Sequence, residues 1–134
     1  MTAATQGRQT PRRDAIDLAL LVNTGTTIYA GTQVSLLTAT GKAVPSGTAG
    51  SGPAIAVAQE TVTGDGAATV RAKRGLAWRF DNSAGGDAIS IVDIANTAYI
   101  AERSTVAKTD NSGARKAAGK IIDVDAAGVW VLVG

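Results

Sequence analysis

The residues of this chain that could carry out chemistry are a few carboxylates, hydroxyls and amines. Asp123 and Asp125 lie two residues apart on a predicted strand, so both carboxylates face the same side of it. Such a pair can share a proton or bind a cation, but no further acidic residues complete a calcium-binding loop, and a solvent-exposed hairpin end is the better explanation of the pair. The turn at 64–66 lacks the Lys-Ser/Thr pair and the following helix of a phosphate-binding loop. We therefore predict no metal site and no phosphate site.

Nucleophilic catalysis has little support in the sequence. The chain contains no His and no Cys, so it lacks the commonest general base, the thiol nucleophile and any disulfide. A Ser/Lys pair is still available, because Ser104 with Lys108 and Ser112 with Lys116 have the spacing of neighbours on a helix. Both pairs fall in segments that we predict as loop or strand. No catalytic set is complete, and we predict a protein that is not an enzyme and uses no cofactor.

Length and charge limit the class of protein further. A chain of 134 residues fits one domain, and 45% of the residues are hydrophobic, which is enough for a core. The formal net charge of +2 does not indicate a basic field over the whole protein for nucleic acid. The longest early apolar run, at 15–22, is interrupted by Asp17 and is much shorter than the roughly 20 residues that span a bilayer. We expect no direct contact with nucleic acid or membrane, and synthesis in the cytoplasm.

The beginning of the chain is a basic arm. Arg8, Arg12 and Arg13 precede the first acidic residue, Asp14. The Gly, Gln, Thr and Pro residues around them offer nothing to bury, so we expect a flexible arm at 1–13 in front of a β-domain at 14–134. The arm is either a frayed terminus or a segment that becomes ordered on the surface of a partner.

Beyond the arm, short apolar alternations and Gly-rich turns are typical of β-structure. The clearest hairpin joins 54–63 to a long return strand at 68–80, with a bulge near Gly75. An exposed Gly/Ser/Pro loop is predicted at 45–53. Further strands are predicted at 26–29, 33–37, 88–94, 98–101, 119–124 and 129–133, while 14–21 fits either a short helix or a strand. This spacing predicts an all-β single domain, either a sandwich or a barrel.

One face of the predicted return strand is basic. Arg71, Lys73 and Arg79 share one parity, whereas Trp78 and Phe80 share the other. Three cations on one face could bind an acidic protein surface, or could simply be solvated. Aromatic residues do not alternate with them on that face, which argues against stacking on nucleic-acid bases.

The last strand is apolar on both faces. In the run 128–133, Trp130 and Leu132 alternate with valines. Such a strand is either buried on both faces within the domain, or buried on one face and covered by another subunit on the other.

Several segments together resemble a known family. The segment 99–110 (YIAERSTVAKTD) leads to 118–125 (AGKIIDVD) and 128–131 (GVWV), and the middle of the chain carries 56–60 (AVAQE) and 70–72 (VRA). These phrases resemble the small capsid cement, or decoration, proteins of short-tailed phages. The resemblance covers roughly residues 50–134, and the arm carries no phrase of that family.

The resemblance implies a structural protein on the outer surface of an icosahedral virion, with a jelly-roll-like barrel that forms a homodimer or a trimer. Its implied partner is the major capsid protein, which it would bind after expansion of the head. On this basis we expect the basic residues to bind the capsid and two apolar residues to form the dimer contact. The predicted capsid-binding residues are Arg8, Arg12, Arg13, Arg71, Lys73 and Arg79, and the predicted dimer contacts are Trp130 and Leu132. A receptor- or glycan-binding accessory module of a head or tail is the alternative.

Overall fold

The computed structural model describes residues 3–134, in which nearly all regular structure is β. Two short 3-10 helices, Gly85–Asp87 and Ile91–Asp93, interrupt the strands. The strands are β1 (Asp17–Leu21), β2 (Thr27–Ile28), β3 (Gln33–Leu36), β4 (Ala43–Pro45), β5 (Ala56–Ala58), β6 (Val62–Thr63), β7 (Thr69–Lys73), β8 (Leu76–Asn82), β9 (Thr97–Glu102), β10 (Thr105–Ala107), β11 (Ala117–Asp125) and β12 (Gly128–Val133). The predicted all-β single domain is therefore confirmed.

The first half of the chain forms a curled sheet in the order β1-β7-β5-β3-β4, which we call the first sheet. Residues 14–21, which fitted a helix or a strand, contribute β1, where Leu18 and Leu20 turn towards the interior. A parallel bridge between Val22 and Ala43 joins the end of β1 to β4, so the sheet nearly closes on itself. Its core consists of small and β-branched side chains: Val22, Ile28, Val34, Ala43, Ala58 and Val70.

The second half forms a closed barrel in the order β10-β8-β12-β11-β9, in which β9 pairs with β10. All neighbours are antiparallel except β8 and β10. The interior is filled by one larger cluster that includes Phe80, Ile100, Ile121 and the three valines of β12, Val129, Val131 and Val133. The barrel alternative is thus the observed one. This five-stranded barrel beside a nearly closed sheet differs from the two packed four-stranded sheets of a jelly roll.

The predicted long return strand at 68–80 is wrong, because the chain changes sheets in its middle. Strand β7 pairs with β1 and β5 in the first sheet, and β8 pairs with β12 and β10 in the barrel. Between them Gly75 has a φ of +73°, a conformation that glycine adopts without strain. The signal at Gly75 was real, but it marks a crossing between sheets rather than a bulge. The predicted hairpin survives in part, since β5 pairs with β7 whereas β6 pairs with β2.

Two further predictions, one of a strand and one of a loop, also need correction. The segment 88–94, predicted as a strand, contains the 3-10 helix Ile91–Asp93. A capping box between Ser90 and Asp93 caps the N-terminus of this helix. The segment 45–53, predicted as an exposed loop, is exposed at 47–50, but it begins with the last residue of β4 and buries Ser46 and Ser51. The hydroxyls of Ser35 and Ser46 are 2.7 Å apart, which satisfies both groups inside the protein.

Candidate interaction surfaces

The basic arm lies outside both cores. Every described residue from 3 to 17 is exposed, and strand structure begins only at Asp17. The side chains of Arg8, Arg12 and Arg13 form no ion pair or hydrogen bond with any residue in the range 3–134. The arm therefore presents three cations without an internal counter-charge, as its composition predicts.

The predicted basic stripe does not exist as one face. Arg71 and Lys73 lie on β7 in the first sheet, whereas Arg79 lies on β8 in the barrel, because the chain changes sheets between them. Arg71 forms an ion pair with Glu60 at 3.3 Å, and Lys73 forms one with Asp17 at 2.8 Å. These two cations are therefore already paired, and no continuous basic face joins them to Arg79.

Arg79 has a different partner, the indole of Trp130. Its guanidinium carbon lies 5.8 Å from the ring centroid, within the range of a cation–π contact. The indole Nε1 donates a hydrogen bond to Asp125 Oδ2 at 3.0 Å, and this bond, more than any other contact, holds the pKa of Asp125 below its ordinary value. The backbone amides of Ala127 and Gly128 also donate to the carboxylate of Asp125. Asp125 thus ties the β11–β12 turn to Trp130.

Trp130 and Leu132 both point away from the barrel interior. The alternate residues of β12 are fully buried, and these two are half-buried on the outer face. Trp130 pairs with Arg79 of β8 and Leu132 pairs with Lys120 of β11. Within the chain, only one face of the strand therefore belongs to the core, and the dimer contact on its outer face stays a prediction.

A further apolar surface was missed in the sequence because its segment was predicted as a strand. Around the 3-10 helix, Ile91 is 62% exposed and Val92 is 80% exposed, with Ile94 and Ile122 of β11 beside them at 38% and 43%. Backbone hydrogen bonds from Ala95 to Ile121, and from Ile121 to Asn96, hold this segment against β11. We call these four side chains, Ile91, Val92, Ile94 and Ile122, the apolar tip. The Ser-x-x-Asp spacing at 90–93 was the signal that could have identified it.

The paired carboxylates do not form a shared site. A bulge displaces β11 between Ile121 and Asp123, and Asp123 accepts a hydrogen bond from its neighbour, the amide of Val124, at 2.8 Å. Asp125 is used by its own turn and by Trp130. Among residues 3–134, no group of three or more acidic residues is placed to hold a metal ion.

The Ser/Lys pairs lack the helix that their spacing needs. Ser104 lies in the turn between β9 and β10, and Lys108 approaches Asp93 at 4.0 Å. Ser112 lies in a turn with a φ of +56°, four residues before Lys116. Neither pair therefore lies on one helix face.

A groove of about 550 Å³ lies where the first sheet meets the turn between β9 and β10. Its walls include Tyr29, which is 51% exposed, together with Ser46, Thr48 and Arg103. Behind it, the backbone amide of the buried residue Gln33 donates to the carbonyl of Arg103 at 3.0 Å. Polar and apolar atoms contribute equally to the lining of the groove, and its hydroxyls are partly engaged, since Thr48 donates to a backbone carbonyl.

Comparisons with known proteins add no relative. No protein-family model, no curated protein and no solved structure matches this chain. In the part of the chain that the structure describes, no helix has the length and apolar character needed to cross a membrane.

Proposed function

We propose that this protein is a structural component of a phage virion that binds the outer surface of an icosahedral head and joins neighbouring subunits of the major capsid protein. The resemblance of residues 50–134 to capsid cement proteins suggests this role. The structural observation that supports it most strongly is the basic arm, which precedes the all-β domain and carries three arginines that are unpaired within residues 3–134. An arm of this kind gives a small domain a second point of attachment.

The physical task of such a protein is to add contacts between capsomers. Packed DNA pushes outward on the shell, and each bridging molecule adds interface area that opposes separation. Many copies act together, so each contact can be weak. The arm loses conformational freedom when it becomes ordered, and this opposes part of the binding free energy.

The predicted capsid-binding cations differ in how free they are to bind. Arg71 and Lys73 must exchange their own partners, Glu60 and Asp17, before they pair with a capsid carboxylate. The arginines of the arm have no internal ion-pair partner within residues 3–134, so on binding they lose only their hydrating water. We therefore expect the arm to dominate binding, with Arg79 next and the two paired cations last.

The test is co-sedimentation of the purified protein with expanded capsids of the same phage that lack it. We expect saturable binding at a fixed ratio to the major capsid protein. Deleting residues 1–13, or changing Arg8, Arg12 and Arg13 to Glu, should weaken binding by at least about tenfold. The matched control changes the same three residues to Lys, which keeps the charge and should bind within about threefold of the parent.

Two results would contradict the proposal. A correctly folded protein that does not sediment with capsids removes the cement role. Binding that is unchanged without residues 1–13 removes the arm from it. Because arginine contacts to carboxylates are screened by salt, binding through the arm should also weaken as the salt concentration rises.

The groove beside Tyr29 favours one second candidate, a receptor- or glycan-binding accessory module. An exposed aromatic ring among hydroxyl-bearing side chains is a surface on which a sugar could stack. This candidate predicts binding to host cell-surface polysaccharide that the change Tyr29→Ala abolishes. Capsid binding without polysaccharide binding would exclude it.

A further inference from the structure

The largest exposed hydrophobic side chains of the described chain are concentrated in the apolar tip. Val92 and Ile91 are the most exposed of them, and Ile94 and Ile122 extend the surface along β11. Isolated exposed hydrophobic residues are normal, but a group of four in one place marks an interaction surface. Neither hydrophobic core within residues 3–134 includes these side chains.

The apolar tip is held rigidly. Asp93 accepts a hydrogen bond from the amide of Ser90 at 2.8 Å and approaches Lys108 at 4.0 Å. The side chain of Asn82 forms two hydrogen bonds of 2.8 Å with the backbone of Ile89, one as donor and one as acceptor. These contacts fix the 3-10 helix in the monomer. Binding of a partner to it therefore costs little conformational entropy in this segment.

The apolar tip continues onto the outer face of β12. In the β11–β12 register, Lys120 lies opposite Leu132 and Asp123 lies opposite Trp130, so that Ile122 occupies the extra position of the bulge between them. Trp130 and Leu132 are half-buried there. The segment of the 3-10 helix bonds to Ile121 on one side of β11 and β12 pairs with β11 on the other, so Ile122 lies between the 3-10 helix and β12.

The charges beside this surface indicate which partner covers it. Lys120 and Asp123 stand on either side of Ile122, both are exposed, and neither forms an ion pair within residues 3–134. In a two-fold symmetric contact, each residue of one copy meets a different residue of the other. A surface with one cation and one anion on opposite sides of its centre is complementary to itself. The arm, with only arginines, would repel its own copy and suits an acidic partner instead.

We propose that a second copy of this chain docks on the apolar tip about a two-fold axis near Ile122. Val92 and Ile91 of each copy pack against Trp130 and Leu132 of the other. Lys120 of each copy pairs with Asp123 of the other. The inference rests on the self-association expected in the proposed function, and it adds the surface and the symmetry of that contact.

The experiment measures self-association of the full chain in solution, without capsids, by sedimentation equilibrium. We expect a dimer with a dissociation constant on the order of micromolar. Val92→Asp should raise that constant by at least about tenfold, because it buries an unpaired charge in the contact. Val92 is 80% exposed in the monomer, so the folded chain tolerates the change. The matched control is Tyr29→Asp, at an exposed aromatic residue beside the groove, which should leave the constant unchanged.

Charge exchange tests the two-fold arrangement. Lys120→Asp and Asp123→Lys should each weaken the dimer by about fivefold or more, since each brings like charges together across the axis. The double variant restores opposite charges and should return to within about threefold of the parent. Circular dichroism and urea unfolding verify that each variant is folded.

Three results would overturn this inference: a parent chain that is monomeric at about 100 µM, a Val92→Asp protein that dimerises as tightly as the parent, or a double variant that fails to regain association. Loss of capsid binding by Val92→Asp with self-association intact would assign the apolar tip to the capsid and also overturn it. A parent that dimerises through the apolar tip but does not bind capsids would support this inference and contradict the proposed function.

Discussion

The barrel and the first sheet are both closed or nearly closed β-structures, yet they are stabilised differently. The barrel has long strands, with nine residues in β11 and seven in β8, and a continuous core that includes Phe80 and Ile121. Strands of the first sheet have three to five residues, and its core is made of valine, alanine and one isoleucine. The first sheet also buries the polar side chains of Gln33, Ser35 and Ser46.

This difference indicates that side-chain hydrogen bonds carry a larger share of the stability of the first sheet. A core of small side chains buries less apolar area, so its buried polar groups weigh more: the hydroxyls of Ser35 and Ser46 satisfy each other, whereas Gln33 Oε1 has no partner within residues 3–134. The side-chain amide of Gln33 donates to the carbonyls of Glu102 and Arg103 in the barrel half, at 3.5 and 3.4 Å. The two regions should therefore unfold together.

Glycine replacement should have the largest effect and tests that coupling directly. A Cβ at Gly119 in the barrel would lie 2.0 Å from the carbonyl oxygen of Leu132, and one at Gly64 would lie 2.1 Å from that of Asn23 in the first half. Replacing either residue by Ala should lower the free energy of unfolding by more than about 4 kcal/mol, because backbone atoms must move. Gly52→Ala, where nothing lies within 4 Å, is the control.

Urea unfolding followed by two probes measures this effect. Both tryptophans, Trp78 and Trp130, lie on barrel strands, so their fluorescence reports the barrel, whereas circular dichroism reports all strands. Coincident transitions for Gly64→Ala would support one cooperative unit. If the tryptophan signal stayed native while ellipticity was lost, the two regions would be separate units.

Removing one isoleucine from each core should have the next largest effect. Ile121→Ala in the barrel and Ile28→Ala in the first half should each cost about 2–5 kcal/mol. We expect the barrel variant to fall in the upper half of that range, because long paired strands cannot close the cavity, whereas β2 has only two residues and can shift. Equal losses in urea unfolding would contradict this distinction. The control is Ile16→Ala, at an exposed side chain outside the apolar tip, with a change below about 1 kcal/mol.

The buried serine pair should show a smaller effect, confined to the first sheet. Ser35→Ala leaves the hydroxyl of Ser46 buried without its 2.7 Å partner, and we expect a loss of about 1–3 kcal/mol. The double change Ser35→Ala with Ser46→Ala removes both hydroxyls and should recover part of that loss. A double variant that is as unstable as the sum of the two single variants would show that the hydroxyls act independently.

The smallest single-site effects are expected in acid, and both regions contribute to them. The backbone amides of Ala67 and Ala68 hold the pKa of Asp65 below 3.8, and the indole of Trp130 does so for Asp125. A carboxyl with a lowered folded-state pKa stabilises the fold above its ordinary pKa, and this stabilisation is lost as pH falls through the folded value. Stability should therefore decrease below about pH 4.

Urea unfolding between about pH 7 and pH 2.5 measures the acid effect. Asp125→Asn should flatten the pH dependence, and Asp65→Asn should do so in the other region. Unchanged pH dependence in both variants would show that these hydrogen bonds do not control acid stability.

Local patterns predicted the second half of the fold better than the first. The β11–β12 hairpin was predicted because the turn residues 125–128 lie between two apolar alternations. The sheet change at Gly75 could not be predicted, since the sequence near a strand does not say which distant strand pairs with it. The predicted strand at 88–94 was wrong because Ile91, Val92 and Ile94 are exposed and only Ile89 is buried, and the Ser90–Asp93 capping box outweighs their β-propensity.

For the candidate surfaces too, local sequence predicted local features but not contacts between residues far apart in the chain. The exposure of Arg8, Arg12 and Arg13 follows from local composition alone. The pairing of Lys73 with Asp17 joins residues far apart in the chain, and no local pattern reveals it. Placing Trp130 on the outer face required the closure of the barrel, although the alternation along β12 had reduced the choice to two arrangements.

The hydrogen bonds between the two halves have a consequence for biosynthesis. Amides of the first half and of the crossing, at Gln33, Ala54 and Gly75, bond to the carbonyls of Arg103, Ala117 and Val133 respectively. The ribosome makes those carbonyls last, and a nascent chain grows by about 5–20 residues per second. For several seconds, the first sheet therefore has strands without their acceptors. Its low content of large apolar side chains limits how strongly such an unfinished chain can associate with others.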